Sequence, residues 1–181
     1  MNWNQNLDSS KFLWKLHKME IIESGDLFTS DKQTIVNTVN CKGVMGKGLA
    51  LSFRKEYPLM YKEYVDICNR GLMDIGKLWL YKREAKWVLN FPTKYDWRFR
   101  TEIYFLEAGL EKFLATYSEK GITSIAFPLL GASNGGLDPE ISLNIMQKYL
   151  VHCDIPITIY LSYKCEQRLN HINHFSAHTC N

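Results

Sequence analysis

Two stretches of β-branched and apolar residues each run into a glycine-rich loop and then into a helical pattern, and that arrangement leaves few folds open. The first is Thr34-Ile-Val-Asn-Thr-Val, followed by Gly43-Val-Met-Gly-Lys-Gly48, with three glycines in six residues. The second is Ile122-Thr-Ser-Ile-Ala-Phe, followed by Pro128 and a loop over residues 129–136 that holds Gly131, Gly135 and Gly136. Short apolar runs bounded by turn signals suit strands buried on both faces. Strand, loop and helix in alternation give an α/β sheet covered on both sides. In such sheets ligands bind where loops leave the carboxyl ends of the strands, so both glycine loops are expected on one binding edge.

The rest of the chain fits that frame. Met19-Glu-Ile-Ile-Glu reads as a short strand stopped by Ser24-Gly25-Asp26. A helical pattern covers residues 49–57, and Pro58 opens a second helix that turns Met60, Tyr64, Ile67 and Cys68 inward. Strands are expected at residues 77–81 and 86–91. Thr101 is expected to cap a long helix whose apolar positions are Ile103, Leu106, Leu110, Phe113 and Tyr117, closed by Gly121. Asp138-Pro139 joins an N-cap acid to a proline at the first helical position, and Ile141, Ile145 and Tyr149 are expected to line that helix's buried face. Residues 156–161 form a last strand. No repeat or linker interrupts the 181 residues, so one domain is expected over residues 19–164. It carries an N-terminal extension over 1–18 and a C-terminal tail over 165–181. The extension is read as an amphipathic helix (Phe12, Leu13, Leu16) that packs on the domain. His171, His174, His178 and Cys180 are read as stray residues of a terminus, and no metal is expected.

Composition narrows the class further. Apolar residues make up 46% and charged residues 23%, which excludes disordered, collagen-like and disulfide-scaffold chains. No apolar run approaches the roughly 20 residues of a membrane helix, so no membrane is expected. The N-terminus lacks an apolar core with a small-residue cleavage site, so no signal peptide is expected. Five scattered cysteines without CxxC spacing read as reduced thiols in a cytoplasmic protein. A formal net charge of +3 requires any nucleic-acid contact to be local.

The loops carry the candidate chemistry. Gly43, Gly46 and Gly48 let backbone N–H groups approach an anion, and the helix that follows adds its positive dipole end. Asn40, at the end of the buried strand, offers both a donor and an acceptor to a sugar hydroxyl. Lys47 suggests a P-loop, but Gly43 is too close to it and Gly48 stands where Ser or Thr is needed, so an NTPase is rejected. In the second loop Ser133 and Asn134 supply side-chain polar groups beside the glycines. Two such loops facing one another suit a dinucleotide-like or ADP-ribose ligand. Lys94-Tyr-Asp-Trp-Arg-Phe-Arg100 interleaves aromatic and basic residues. Either Tyr95 or Trp97 stacks on an exposed base while Arg98 or Arg100 meets phosphates, or Trp97 and Phe99 pack the loop onto the domain. A single-stranded substrate is expected, since a base in a duplex must first be extruded.

Gly25-Asp26-Leu27, the Asn37/Asn40 pair, Gly43–Gly48, Asn90-Phe-Pro-Thr-Lys94 and Gly131–Asp138 occur in the order seen in macrodomains. Over residues 19–164 the chain resembles that family, closest to the DarG-type DNA ADP-ribosyl glycohydrolases, antitoxins of DarT–DarG pairs. It is also similar to the terminal ADP-ribose protein glycohydrolases. The resemblance implies a three-layer α/β/α macrodomain with a mixed central sheet. It implies a hydrolase that removes ADP-ribose from thymidine bases of single-stranded DNA without a cofactor. Its implied partners are ADP-ribose, the modified DNA and a DarT-type toxin. The alternatives are a hydrolase of protein carboxylate esters and a non-catalytic ADP-ribose-binding module.

The catalytic residues implied are Lys94 and Asn40, with Asp26 on the adenine amino group, the Leu27 backbone beside it and Asn40 on the distal ribose. The implied ADP-ribose site also takes in Gly25, Asn37, the first loop (Gly43, Val44, Met45, Gly46, Lys47, Gly48) and Thr93. Pro128 and the second loop (Gly131, Ala132, Ser133, Asn134, Gly135, Gly136, Leu137) complete it. Cleaving a ribose–base bond requires stabilising oxocarbenium character and protonating a poor leaving group. Lys94 would act as an acid, or attack the anomeric carbon with its proton affinity lowered by burial. Two departures stand out: Ala132-Ser133 where DarG relatives usually have Cys-Gly, and Gly135 where the protein-ester hydrolases carry an aspartate. The second favours the DNA reading. Asp138 is read as a helix cap. DarG proteins normally carry a second domain that holds the toxin, which this chain is expected to lack.

Overall fold

The computed structural model describes residues 18–163, so the readings on residues 1–17 and on the tail lie outside the described residues. Six strands, β1 (Met19–Gly25), β2 (Thr34–Asn40), β3 (Trp79–Tyr81), β4 (Trp87–Lys94), β5 (Ile125–Pro128) and β6 (Ile157–Tyr163), form one sheet in the order β1-β6-β5-β2-β4-β3. Pairing is parallel except between β3 and β4, which run antiparallel. Among the described residues, four α-helices cover the sheet: α1 (Gly48–Glu56), α2 (Pro58–Asn69), α3 (Ile103–Thr116) and α4 (Pro139–Leu150).

Alternation along the strands sends successive side chains to opposite faces, and each face meets its own pair of helices. Val36, Leu89, Phe127 and Ile159 join Leu106, Leu110 and Phe113 of α3 and Met146 and Leu150 of α4. Their neighbours Ile35, Val88, Ala126 and Tyr160 join Leu49 and Phe53 of α1 and Met60 and Tyr64 of α2. The expected three-layer α/β/α architecture with a mixed sheet results. Among the described residues, no helix is long and apolar enough to cross a membrane.

Four sequence expectations shift. Thr101 is not the cap of α3: Glu102 occupies that position without a side-chain cap bond, and Thr101 is buried. Ile103 and Ile141, expected on buried faces, are 44% exposed. In α4 the fully buried positions are Ser142, Met146 and Leu150, one residue on from the expected stripe. Ser142 accounts for the slip, since its hydroxyl donates to the Leu130 carbonyl at 2.6 Å and lets a polar residue occupy an apolar stripe. Asp138 caps α4 as expected, accepting from the Glu140 and Ile141 N–H groups at 2.8 and 3.2 Å. Strand β4 also runs beyond the expected residue 91 to Lys94. Pro92 is tolerated because β3 pairs only Val88, Leu89 and Asn90, leaving Pro92 with no ladder partner to lose on that side.

Candidate functional site

Because the five parallel strands share one direction, their carboxyl ends lie on one edge. Strands β2 and β5 pair at Thr34–Ile125 and Ile35–Ala126. Beyond those pairs, a cleft of about 570 Å³ is lined by both strand ends. Chain order reverses here, since the connection after β2 leads away from β5 to β3 and β4, the position at which α/β sheets hold ligands. The cleft is lined by Asn40 from β2, by Val44, Gly46 and Lys47 from the first loop, and by Thr93, Lys94 and Trp97 from β4 and its extension. Pro128, Gly131, Ala132, Ser133, Asn134 and Gly135 complete the opposite wall. Every one of these is a residue singled out in the sequence.

Asn40 organises the first loop. Its Oδ1 accepts from the N–H groups of Lys42 (2.9 Å) and Val44 (3.3 Å), and its Nδ2 donates to the Val44 carbonyl at 2.6 Å. One Nδ2 hydrogen is left over. Beneath it, the Tyr64 hydroxyl donates to the Asn40 carbonyl at 2.6 Å. Tyr64 is fully buried, and that burial pushes its phenol well above the ordinary range, so it stays a donor.

Lys94 ends β4 and spans toward the opposite wall, its Nζ donating to the backbone carbonyl of Asn134. Burial holds its ammonium below the usual lysine range. No carboxylate contributes to that shift. The carbonyl is presented by a tight turn, Ser133–Gly135, closed by Gly135 N–H to Ala132 (2.9 Å) and Leu137 N–H to Gly131 (3.0 Å). Ser133 adopts φ +51°, a left-handed conformation unusual for a residue with a Cβ.

Beyond Lys94, the strap over residues 95–100 exposes its aromatic rings: Tyr95 is 52%, Trp97 48% and Phe99 67% exposed. Lys42 Nζ lies 4.4 Å from the Tyr95 ring centre, and the Arg98 guanidinium lies 4.4 Å from that of Trp97. Arg98 also pairs with Asp96 at 3.3 Å, and Arg100 runs beside Gly136.

Other implied residues lie away from the cleft lining. Asn37 and Met45 are fully buried; Asn37 Nδ2 donates to Asn90 Oδ1 at 2.9 Å on the neighbouring strand. Leu27 is a core residue. Gly25 packs on Tyr160, whose ring would lie 2.7 Å from a Cβ there. The Asp26 side chain accepts from the Phe28 N–H at 2.9 Å. Gly43, Gly48, Gly136, Leu137, Tyr95, Arg98 and Arg100 also fall outside the lining, which Thr38, Val39, Leu49, Ala50, Leu129 and Leu161 join without having been singled out. Apolar residues at strand ends gave no sequence signal beyond core burial; the shared edge alone turns them into cleft wall.

A family model described as the macro domain matches residues 36–146, a span that contains both loops and Lys94. The chain belongs to the macro domain family. The DNA ADP-ribosyl glycohydrolase of Mycobacterium tuberculosis is 40% identical over 142 residues, covering 76% of this chain. This macro domain spans 40% of that relative's length. The solved macrodomain of Mycobacterium tuberculosis DarG superposes with a TM-score of 0.70 at 38% identity, covering 78% of this chain and 96% of that one. Thermosipho africanus DarTG in complex with ADP-ribose superposes with a TM-score of 0.76 at 35% identity, covering 86% of this chain and 44% of that one.

Proposed function

We propose that this macro domain removes ADP-ribose from thymidine bases of single-stranded DNA, in the cytoplasm, reversing the modification made by a DarT-type toxin. The observation that carries the reading is Lys94: a partly desolvated amine at the end of β4, facing a glycine-walled cleft of about 570 Å³. The names of its relatives, DNA ADP-ribosyl glycohydrolase and DarTG in complex with ADP-ribose, supply the substrate class.

The two glycine loops offer backbone N–H groups to the pyrophosphate from opposite walls, and the spare Asn40 N–H meets the distal ribose. The adenine lies toward Leu161 and the end of β1, where Asp26 accepts from its amino group. Hydrolysis breaks the bond between the anomeric carbon and the base nitrogen. Water supplies the new oxygen on that carbon, and the base leaves with a proton. Lys94 either delivers that proton as an ammonium or attacks the anomeric carbon as a neutral amine, the adduct then being hydrolysed. Trp97 and Tyr95 stack on unpaired bases, with Arg98 and Arg100 toward the phosphates.

The test is release of ADP-ribose from a thymidine-modified single-stranded oligonucleotide by wild type and Lys94→Ala. Release by wild type with loss of at least about 100-fold in the variant supports the reading. Binding of free ADP-ribose without release by either protein makes the domain a reader instead. Release from a modified protein carboxylate but not from DNA moves the substrate class. Gly135, and the absence of a carboxylate acting on Lys94, weigh against that outcome. Borohydride added during turnover separates the two lysine roles: a nucleophile leaves a reduced adduct on Lys94, an acid leaves none.

A further inference from the structure

Thr101 stands one residue ahead of Glu102, the N-cap of α3, and takes no part in capping. It is 6% exposed and lies beneath the loop that faces Lys94. Its backbone N–H donates to the Gly135 carbonyl at 2.9 Å. A Cβ built on Gly131 would lie 2.7 Å from Thr101 Cγ2, and one built on Gly135 would lie 2.7 Å from Thr101 Oγ1. Side-chain carbons are not accommodated at such distances, so the two glycines are notches into which the branched Thr101 side chain fits. Gly131 also has φ +68°, which a larger residue adopts only with strain. Thr101 Oγ1 has no hydrogen-bond partner, so its contribution in this structure is shape.

Between the two notches the loop is closed on itself. Gly135 bonds back to Ala132, Gly136 to Ser133 at 3.1 Å, and Leu137 to Gly131. A turn tied in this way moves as a unit, and fixing Gly131 and Gly135 fixes Asn134 between them. The Asn134 carbonyl receives the Lys94 amine.

We infer that Thr101 is a positioning residue for the reaction, seating the 131–136 loop so that the Asn134 carbonyl orients the Lys94 amine. In this chain a backbone carbonyl, set from below by Thr101, takes the place of an acidic side-chain partner for the lysine. The inference rests on Lys94 being the reacting group. It also links the strap over residues 95–100 to the opposite wall of the cleft, since Thr101 is the next residue along.

Thr101→Ala should lower kcat for ADP-ribose release by about 10- to 100-fold, the scale of a misplacement of about 1 Å, with KM within about threefold of wild type. Gly135→Ala should do the same, because its new Cβ meets Oγ1. Combined with Thr101→Ala it should cost nothing more, since the nearest remaining atom is then Thr101 Cβ at 3.5 Å, an ordinary contact. Losses that multiply, or that fall on KM and kcat alike, overturn the inference. Should Thr101→Ala fail to melt cooperatively, Thr101→Ser, which removes the Cγ2 contact with Gly131 and keeps the hydroxyl beside Gly135, carries the comparison of kcat against KM: a loss confined to kcat supports the inference and a loss shared by KM, or no loss, overturns it.

A second readout needs no substrate. The rate at which an acylating reagent modifies Lys94 at fixed pH, followed by mass spectrometry, should rise several-fold in Thr101→Ala as the amine loses its carbonyl. An unchanged rate overturns the inference. If wild type released no ADP-ribose from DNA, the functional reading would fail while this comparison still decided the role of Thr101.

Discussion

A lysine amine that loses part of its hydration gives up its proton more readily, and at position 94 this has a sign that can be measured in two ways. Burial lowers its affinity for a proton in the folded state, while the unfolded chain keeps the ordinary value near 10.4. Between those two values the unfolded state binds more protons, so stability rises with pH across that window. Below the folded-state value the cost is present in full. Lys94→Met should therefore melt above wild type near pH 7, with the gap closing as pH approaches about 10.4; a gap independent of pH would show that the charge is not its source. Turnover reads the same titration. A nucleophilic Lys94 gives a rate that rises with pH through the folded-state value, and an acidic Lys94 gives one that falls. The cysteines stand in contrast: burial pushes the Cys41 thiol up to about 12, which leaves it protonated and inert at neutral pH.

At the scale of elements, the cleft depends on how closely α3 lies on β4. Gly109 of α3 leaves a notch filled by the Phe91 ring, which would come within 2.2 Å of a Cβ there. On an exposed helix, glycine to alanine gains about 1 kcal/mol. Here the overpacking term, about 1–3 kcal/mol, outweighs it. Gly109→Ala should lower the unfolding free energy in a denaturant titration, and it should lower ADP-ribose release further, because Phe91 stands three residues before Lys94 in the same strand. Equal or greater stability would show that Phe91 swings aside at no cost. The same element explains why spacing alone misplaced Thr101. A threonine ahead of an apolar stripe is an ordinary cap signal, and nothing local announces that a loop some thirty residues later will close over it.

For the whole molecule, charge is distributed more informatively than its net value of +3 suggests. Lys42 stands beside the exposed ring of Tyr95 and Arg98 beside that of Trp97, while Arg100 lies against Gly136 of the second loop. Affinity for an unmodified single-stranded oligonucleotide should fall with salt at a log–log slope of about −2 if three phosphates are met, and replacing both Arg98 and Arg100 with glutamine should flatten it by about 1.4. Binding of free ADP-ribose should be insensitive to that change; an unaltered slope would move the DNA path elsewhere. By itself the sequence determined the layers, the two glycine loops and the shared binding edge. Those follow from local chemistry: β-branched runs make strands, apolar spacing makes helices, and parallel strands carry their carboxyl ends to one side. Only the tertiary structure decided that Asn37 and Met45 lie in the interior, that Leu129 and Leu161 form cleft wall, and that Thr101 seats the loop facing Lys94. Each of those depends on contacts between segments far apart along the chain, where packing geometry, and no local preference, selects the partner.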